Sequence, residues 1–127
     1  MILVHHHLIV AADIRRVIKD TEEAKKWLKM LIDKVGLQSM GEVQCEYSKV
    51  IGNRGITALA MVTTSHIGLH IWDEEIPAKL QFDLYSCASF THIEIIKEIE
   101  EKFKAISISY KYIDRDNNLI PYHHEHI

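Results

Sequence analysis

The chain has 127 residues, 47% of them hydrophobic, with 15 Lys and Arg against 18 Asp and Glu, a formal net charge of −3 at pH 7. This length supports one domain, residues 1–127, with a sizeable core. The acidic balance and the lack of a basic stripe exclude a nucleic-acid binder, and no apolar run approaches membrane-spanning length. Cys45 and Cys87 are too few for a disulfide framework. The N-terminus shows neither a charged n-region nor a cleavage site, so the expected compartment is the cytoplasm.

Residues 2–10 are β-branched and apolar around His5, His6 and His7, and read as a strand. The three histidines are taken as part of that strand and its surface. Asp20 through Val35 is the clearest helix. Asp20 or Thr21 caps it, Glu22 and Glu23 sit where the dipole favours acids, and Gly36 ends it. Ala24, Trp27, Leu28, Leu31, Ile32 and Val35 recur at helical spacing, so Trp27 is assigned to the core. Val43, Cys45 and Tyr47 alternate with Glu42, Gln44 and Glu46 in a half-buried strand.

After the turn Gly52-Asn53-Arg54-Gly55 comes a strand, Ile56 to Thr63, apolar or small on both faces. The next strand reads Thr63-Thr64-Ser65-His66-Ile67-Gly68-Leu69-His70-Ile71-Trp72, and alternation places His66, Gly68, His70 and Trp72 on one face. Two histidines on one face need partners for their ring nitrogens. Lys79 to Cys87 alternates Leu80, Phe82 and Leu84 with Gln81, Asp83, Tyr85 and Cys87. Thr91-His92-Ile93-Glu94 reads as a capping box. It opens a helix carrying Ile95, Ile96, Ile99 and Phe103 inward, followed by a strand of Ile106, Ile108, Tyr110 and Tyr112. The order β-α-β-β-β-β-α-β gives class α+β, a two-layer sandwich of an antiparallel sheet with both helices on one face. Two helices cannot cover both faces of the sheet. The expected second cover is another copy's sheet, in a homodimer of four αββα layers.

Ser65-His66, His70, Trp72-Asp73-Glu74 and Asp83-Leu84-Tyr85-Ser86-Cys87, in this order, resemble the signature of the small prokaryotic S-adenosylmethionine decarboxylases, which are pyruvoyl enzymes. His7-Leu8-Ile9-Val10 and Gly55-Ile56-Thr57 match the family in order as well, and the resemblance runs to about Phe90. It implies self-cleavage between Thr64 and Ser65, in which the serine becomes a pyruvoyl cofactor that captures the substrate amine and serves as the electron sink. By the same resemblance His70 takes the serine α-proton, Thr57 assists processing in place of a family serine, and Cys87 reprotonates the product. Glu74 stands where the family binds ribose hydroxyls. Ile51 stands where it stacks an aromatic on adenine, and Trp72 completes the substrate-binding set. Thr57 and Ser65 share strand parity, which predicts common surroundings.

The chain also departs from that family. Thr64 replaces the usual Glu before the serine, Asp73 replaces a Pro, Ala88 replaces a Gly, and Ile51 cannot stack face to face with a base. Three functions stay open. One is a decarboxylase acting on S-adenosylmethionine in polyamine synthesis. The second applies the same chemistry to arginine or ornithine, which carry no adenine. The third is an unprocessed paralogue that binds a small ligand or a partner. No metal is expected. The tail His123-His124-Glu125-His126 lacks a standard structural zinc pattern and is read as solvated.

Overall fold

The computed structural model describes residues 4–63 and 65–126, without the side chains of residues 122–126. Among the described residues the order is β1 (His6–Ile14), α1 (Thr21–Lys34), β2 (Ser39–Ser48), β3 (Gly55–Val62), β4 (Ser65–Trp72), β5 (Ala78–Ser86), α2 (His92–Phe103), β6 (Ala105–Asp114) and β7 (Ile120–His126). The strands form one antiparallel sheet in the order β2-β3-β4-β5-β1-β6-β7. The first strand therefore lies between β5 and β6, far from its neighbours in sequence.

Helix α1 begins as its sequence directs. The Asp20 carboxylate accepts the Glu22 N–H at 2.9 Å, and Glu22 and Glu23 occupy the first turn. Ala24, Trp27, Leu28, Leu31 and Ile32 are its buried stripe. Trp27 meets Phe82 of β5 and Phe103 of α2 edge-on, with ring centroids 6.4 and 5.0 Å apart. Both helices thus cover the same face, where Leu8, Val10, Ile67, Leu69, Leu80 and Leu84 are buried. Truncating Phe82 or Phe103 to alanine would cost about 3–5 kcal/mol through the cavity left behind.

The other face is uncovered within one chain. It exposes Ile9 (44%), Leu59 (50%) and Met61 (61%) beside His66 and Thr57. This is the apolar second face expected of β3.

Three local expectations change. First, β1 runs to Ile14, because its register with β5 continues unbroken from His6↔Ser86 to Ile14↔Ala78; Ile2 and Leu3 lie outside the described residues. Second, Thr91 makes no side-chain cap. The Glu94 N–H that a capping box would use donates instead to the Thr91 backbone carbonyl at 3.2 Å. Third, the histidine tail is a seventh strand. Its backbone pairs with β6, Tyr112 opposite His123, whereas the tail side chains lie outside the described residues.

Candidate active site

The β3–β4 hairpin carries most of the candidate residues, at its two ends. At the turn end, β4 opens on Ser65, which pairs with Val62. The Ser65 hydroxyl oxygen accepts the Cys87 N–H at 3.0 Å, and the Cys87 thiol donates to the Thr63 carbonyl at 3.4 Å. Cys87 follows directly on the last residue of β5, the strand beside β4, and this places it against the serine. Thr64 lies outside the described residues.

At the other end the register sets Thr57 opposite His70. His70 Nδ1 lies 3.4 Å from the Thr57 hydroxyl, and its ring centroid is 6.0 Å from that of Trp72. One oxygen of Glu74, Oε1, accepts the N–H groups of Gly52 (2.7 Å) and Arg54 (3.0 Å), tying the β4–β5 loop to the β2–β3 turn. The Tyr47 hydroxyl donates to Asp73 at 2.7 Å, and this bond raises the phenol pKa. A cleft of about 220 Å³ opens here between Gly52, Trp72, Glu74, Glu75 and Lys79. Ile51 sits at the tip of the turn, 81% exposed. Gly55 has φ +143, and a Cβ there would fall 1.7 Å from the Ile71 carbonyl oxygen, so the close approach of β3 to β4 requires glycine.

The two ends do not meet within one chain. Ser65 and His70 are five residues apart on a straight strand, about 17 Å at ~3.4 Å per residue. They also face opposite ways: Thr57 and His70 lie on the open face, while Ser65 shares the parity of buried Ile67 and Leu69. The expected common surroundings of Thr57 and Ser65 are therefore corrected. The turn ends β3 at Val62 and starts β4 at Ser65, so the serine pairs with a core-facing residue.

Between the two ends, three neighbouring strands bring together a cluster that sequence order does not display. His7 of β1 and His66 of β4 flank Tyr85 of β5 in register, with ring centroids 5.9 and 5.8 Å from the tyrosine. Both imidazoles turn Nε2 to one oxygen of Asp83, at 2.9 and 3.3 Å. Burial pushes the Asp83 carboxyl up, but the two histidines, His7 foremost, hold it below the ordinary carboxylate value. Alternation alone placed His66 and Asp83 on polar faces. Their adjacency needed the strand order β4-β5-β1, for which the sequence carries no local signal.

A family profile described as S-adenosylmethionine decarboxylase matches residues 6–116. The chain belongs to the S-adenosylmethionine decarboxylase family. The S-adenosylmethionine decarboxylase proenzyme of Archaeoglobus fulgidus is 25% identical over 100 residues, which span 78% of this chain and 84% of that protein. Membership in this decarboxylase family supports decarboxylation as the general kind of reaction. The matched segment contains both ends of the hairpin and the His7–His66–Asp83 cluster; the histidine tail falls outside it. No helix among the described residues is long and apolar enough to cross a membrane.

Proposed function

We propose that this member of the S-adenosylmethionine decarboxylase family is a proenzyme that cuts itself between Thr64 and Ser65 and then decarboxylates S-adenosylmethionine, supplying aminopropyl groups for polyamine (spermidine) synthesis. The observation that carries this reading is the pairing of Ser65 with Cys87: a hydroxyl held 3.0 Å from a backbone N–H, beside a thiol. That environment fits a serine-derived pyruvoyl group. An N–H donor already aimed at the serine oxygen would also favour negative charge on an oxygen at this position. The pyruvoyl group would supply the electron sink for decarboxylation.

The chain's own residues divide the remaining work. The Ser65 hydroxyl attacks the Thr64 carbonyl, the Thr64–Ser65 C–N bond breaks and an ester forms with the serine amine freed. His70 removes the serine α-proton so that the Thr64 carboxylate leaves and the chain parts, water then replacing the nitrogen, which departs as ammonia; the Thr57 hydroxyl, 3.4 Å from the His70 Nδ1, orients that imidazole. Cys87 holds the proton later returned to the product carbon. Glu74 keeps acceptor capacity beyond its two backbone bonds, enough to receive ribose hydroxyls, and Trp72 walls the same cleft.

His70 lies too far from the Ser65 of its own chain for this chemistry. We therefore infer that two copies pack open face to open face as a homodimer. A two-fold axis then sets the His70 end of each copy against the Ser65 end of its partner. The exposed Ile9, Leu59 and Met61 supply the apolar surface for that contact.

A second reading, arginine or ornithine as substrate, is favoured by one residue. Ile51 is aliphatic at the tip where a stacking aromatic would be expected, and these substrates have no base to stack.

One intact-mass spectrum of freshly purified protein under denaturing conditions tests the proposal. Two species of nearly equal mass are expected, the C-terminal one blocked at its N-terminus and reactive toward carbonyl reagents. Ser65→Ala abolishes the cut and leaves the fold intact. Carbon dioxide release is expected from S-adenosylmethionine; release from arginine or ornithine alone moves the assignment to the second reading. A single full-mass species that persists on long incubation establishes the unprocessed, non-catalytic paralogue.

A further inference from the structure

We infer that His7, His66 and Asp83 form a binding site for one divalent transition cation of the zinc class, on the open face of the sheet and separate from the Ser65–Cys87 pair. Among the described residues these three place one ligand atom each within 4.8 Å of one another. Two imidazole nitrogens and one carboxylate oxygen suit Zn²⁺ or Fe²⁺ and disfavour Mg²⁺ or Ca²⁺, which prefer all-oxygen sets. A tetrahedral ion with ligands about 2.0–2.1 Å away spaces its donors about 3.3–3.4 Å apart. The two nitrogen–oxygen separations, 2.9 and 3.3 Å, already lie near that spacing. The two nitrogens lie within 4.8 Å of each other.

The surroundings hold the donors in place. Tyr85 packs against both imidazoles, and its own ring lies under the Arg115 guanidinium at 4.2 Å. Opposite Asp83 on β4 stands Gly68, where a Cβ would come 2.8 Å from the free Asp83 oxygen, Oδ1. A glycine at that position leaves the carboxylate room to lie over the strand between His66 and His70. A cavity of about 410 Å³, lined by His7, Ile9, Ala11, His70, Gln81 and Asp83, adjoins the cluster and leaves space for water or a small ligand in the remaining coordination position.

Without a cation, His7 Nε2 hydrogen-bonds Asp83 and His66 Nε2 makes an ion-pair contact with the same oxygen. On binding, each imidazole carries its proton on Nδ1 and presents the Nε2 lone pair to the ion. The three ligands come from β1, β4 and β5, so the ion ties three strands together, and one of them, His66, directly follows the serine proposed for cleavage.

The test is a Zn²⁺ titration of the full chain in competition with a chelating dye, with Co²⁺ absorption to report the ligands. Saturation at one equivalent per chain is expected, with a Co²⁺ spectrum lacking thiolate charge-transfer bands and a rise in Tm with added metal. Asp83→Asn and His7→Gln weaken binding by at least about 100-fold. Replacing His123, His124 and His126 together by Asn leaves it unchanged. Lack of saturable binding, a thiolate band, binding that survives Asp83→Asn in folded protein, or loss confined to the tail variant would each overturn the proposal.

Discussion

The two ends of the β3–β4 hairpin are held in different ways. Among the described residues the turn end carries the Cys87 N–H on the Ser65 oxygen, the Cys87 thiol on the Thr63 carbonyl and the Thr63 N–H on the Gln38 carbonyl. The far end is locked by backbone geometry, with Glu74 bridging Gly52 and Arg54, Asp73 receiving Tyr47, and Gly55 pressed against Ile71. On the roles proposed above, the bond to be cut lies at the hairpin turn, whereas the base and the substrate-binding carboxylate lie where side chains and backbone are tied together. On the proposed roles neither end is complete alone, and the ~17 Å between them is the reason a second copy of the chain is proposed to supply the missing half.

The largest expected effect tests that division directly. Ser65→Ala and His70→Ala chains are each expected to stay uncut when made alone, the first lacking a nucleophile and the second stalling at the ester. Co-expressed with distinguishable tags, they pair, and one intact Ser65 faces one intact His70. Cleavage then returns, confined to the His70→Ala chain and reaching roughly half of the copies that sit in mixed dimers. No cleavage in the mixture, or a monomer mass by light scattering at micromolar concentration, would mean that the two ends act within one chain after a rearrangement.

This division also shows what the sequence could and could not carry. Helix α1 was legible because Asp20, Gly36 and the stripe from Ala24 to Ile32 are local signals that agree with one another. The set Thr57, Ser65, His70, Glu74 and Cys87 was legible as an ordered motif, and alternation placed His66 and His70 on one face. The hairpin register was not. Whether Ser65 opposes Val62 or a neighbour is decided by the turn, and a shift of one residue moves every side chain to the other face. The contacts of His7 and Asp83 were hidden for a different reason: β1 reaches its place beside β5 across more than sixty residues of chain, and no local spacing encodes that pairing. The strand in the tail went unread because His123-His124-Glu125-His126 is polar in composition, yet its backbone runs along β6 at the end of the sheet order.

The rigidity assigned to the far end is tested by two glycines of the same turn. Both have positive φ, +92 at Gly52 and +143 at Gly55. A Cβ at Gly52 meets nothing within 4 Å, whereas at Gly55 it strikes the Ile71 carbonyl. Gly52→Ala is expected to lose about 1 kcal/mol from backbone strain alone. Gly55→Ala is expected to lose about 2 kcal/mol more, because backbone must move on both strands. Urea denaturation of the two variants compares them, and equal losses would remove the close β3–β4 approach as the anchor.

The smallest effect is expected at the turn end and depends on pH. His6 sits opposite Ser86, next to Cys87, with Nδ1 2.6 Å from the Tyr112 hydroxyl. Burial pushes its pKa below the ordinary histidine value of 6.5, and Asp114 and Asp116 only partly offset that. The folded chain therefore favours neutral His6, while the unfolded chain binds the extra proton as soon as the pH drops below about 6.5. Stability from this group is complete above that value and is lost as the pH falls through the lower folded pKa. The Cys87 carbonyl accepts the N–H of Val4, two residues before His6, so loosening β1 here loosens the strand that holds the serine's partner. Urea midpoints between pH 7.5 and 5 should fall for the native sequence and fall less for His6→Gln, which keeps a hydrogen-bonding group but does not titrate. Hydrogen exchange locates the change: the Cys87 amide should lose protection over that range while the amides around His70 keep theirs. Equal loss at both ends would show that the two halves of the hairpin respond as one unit and that the contrast between them is not one of stability.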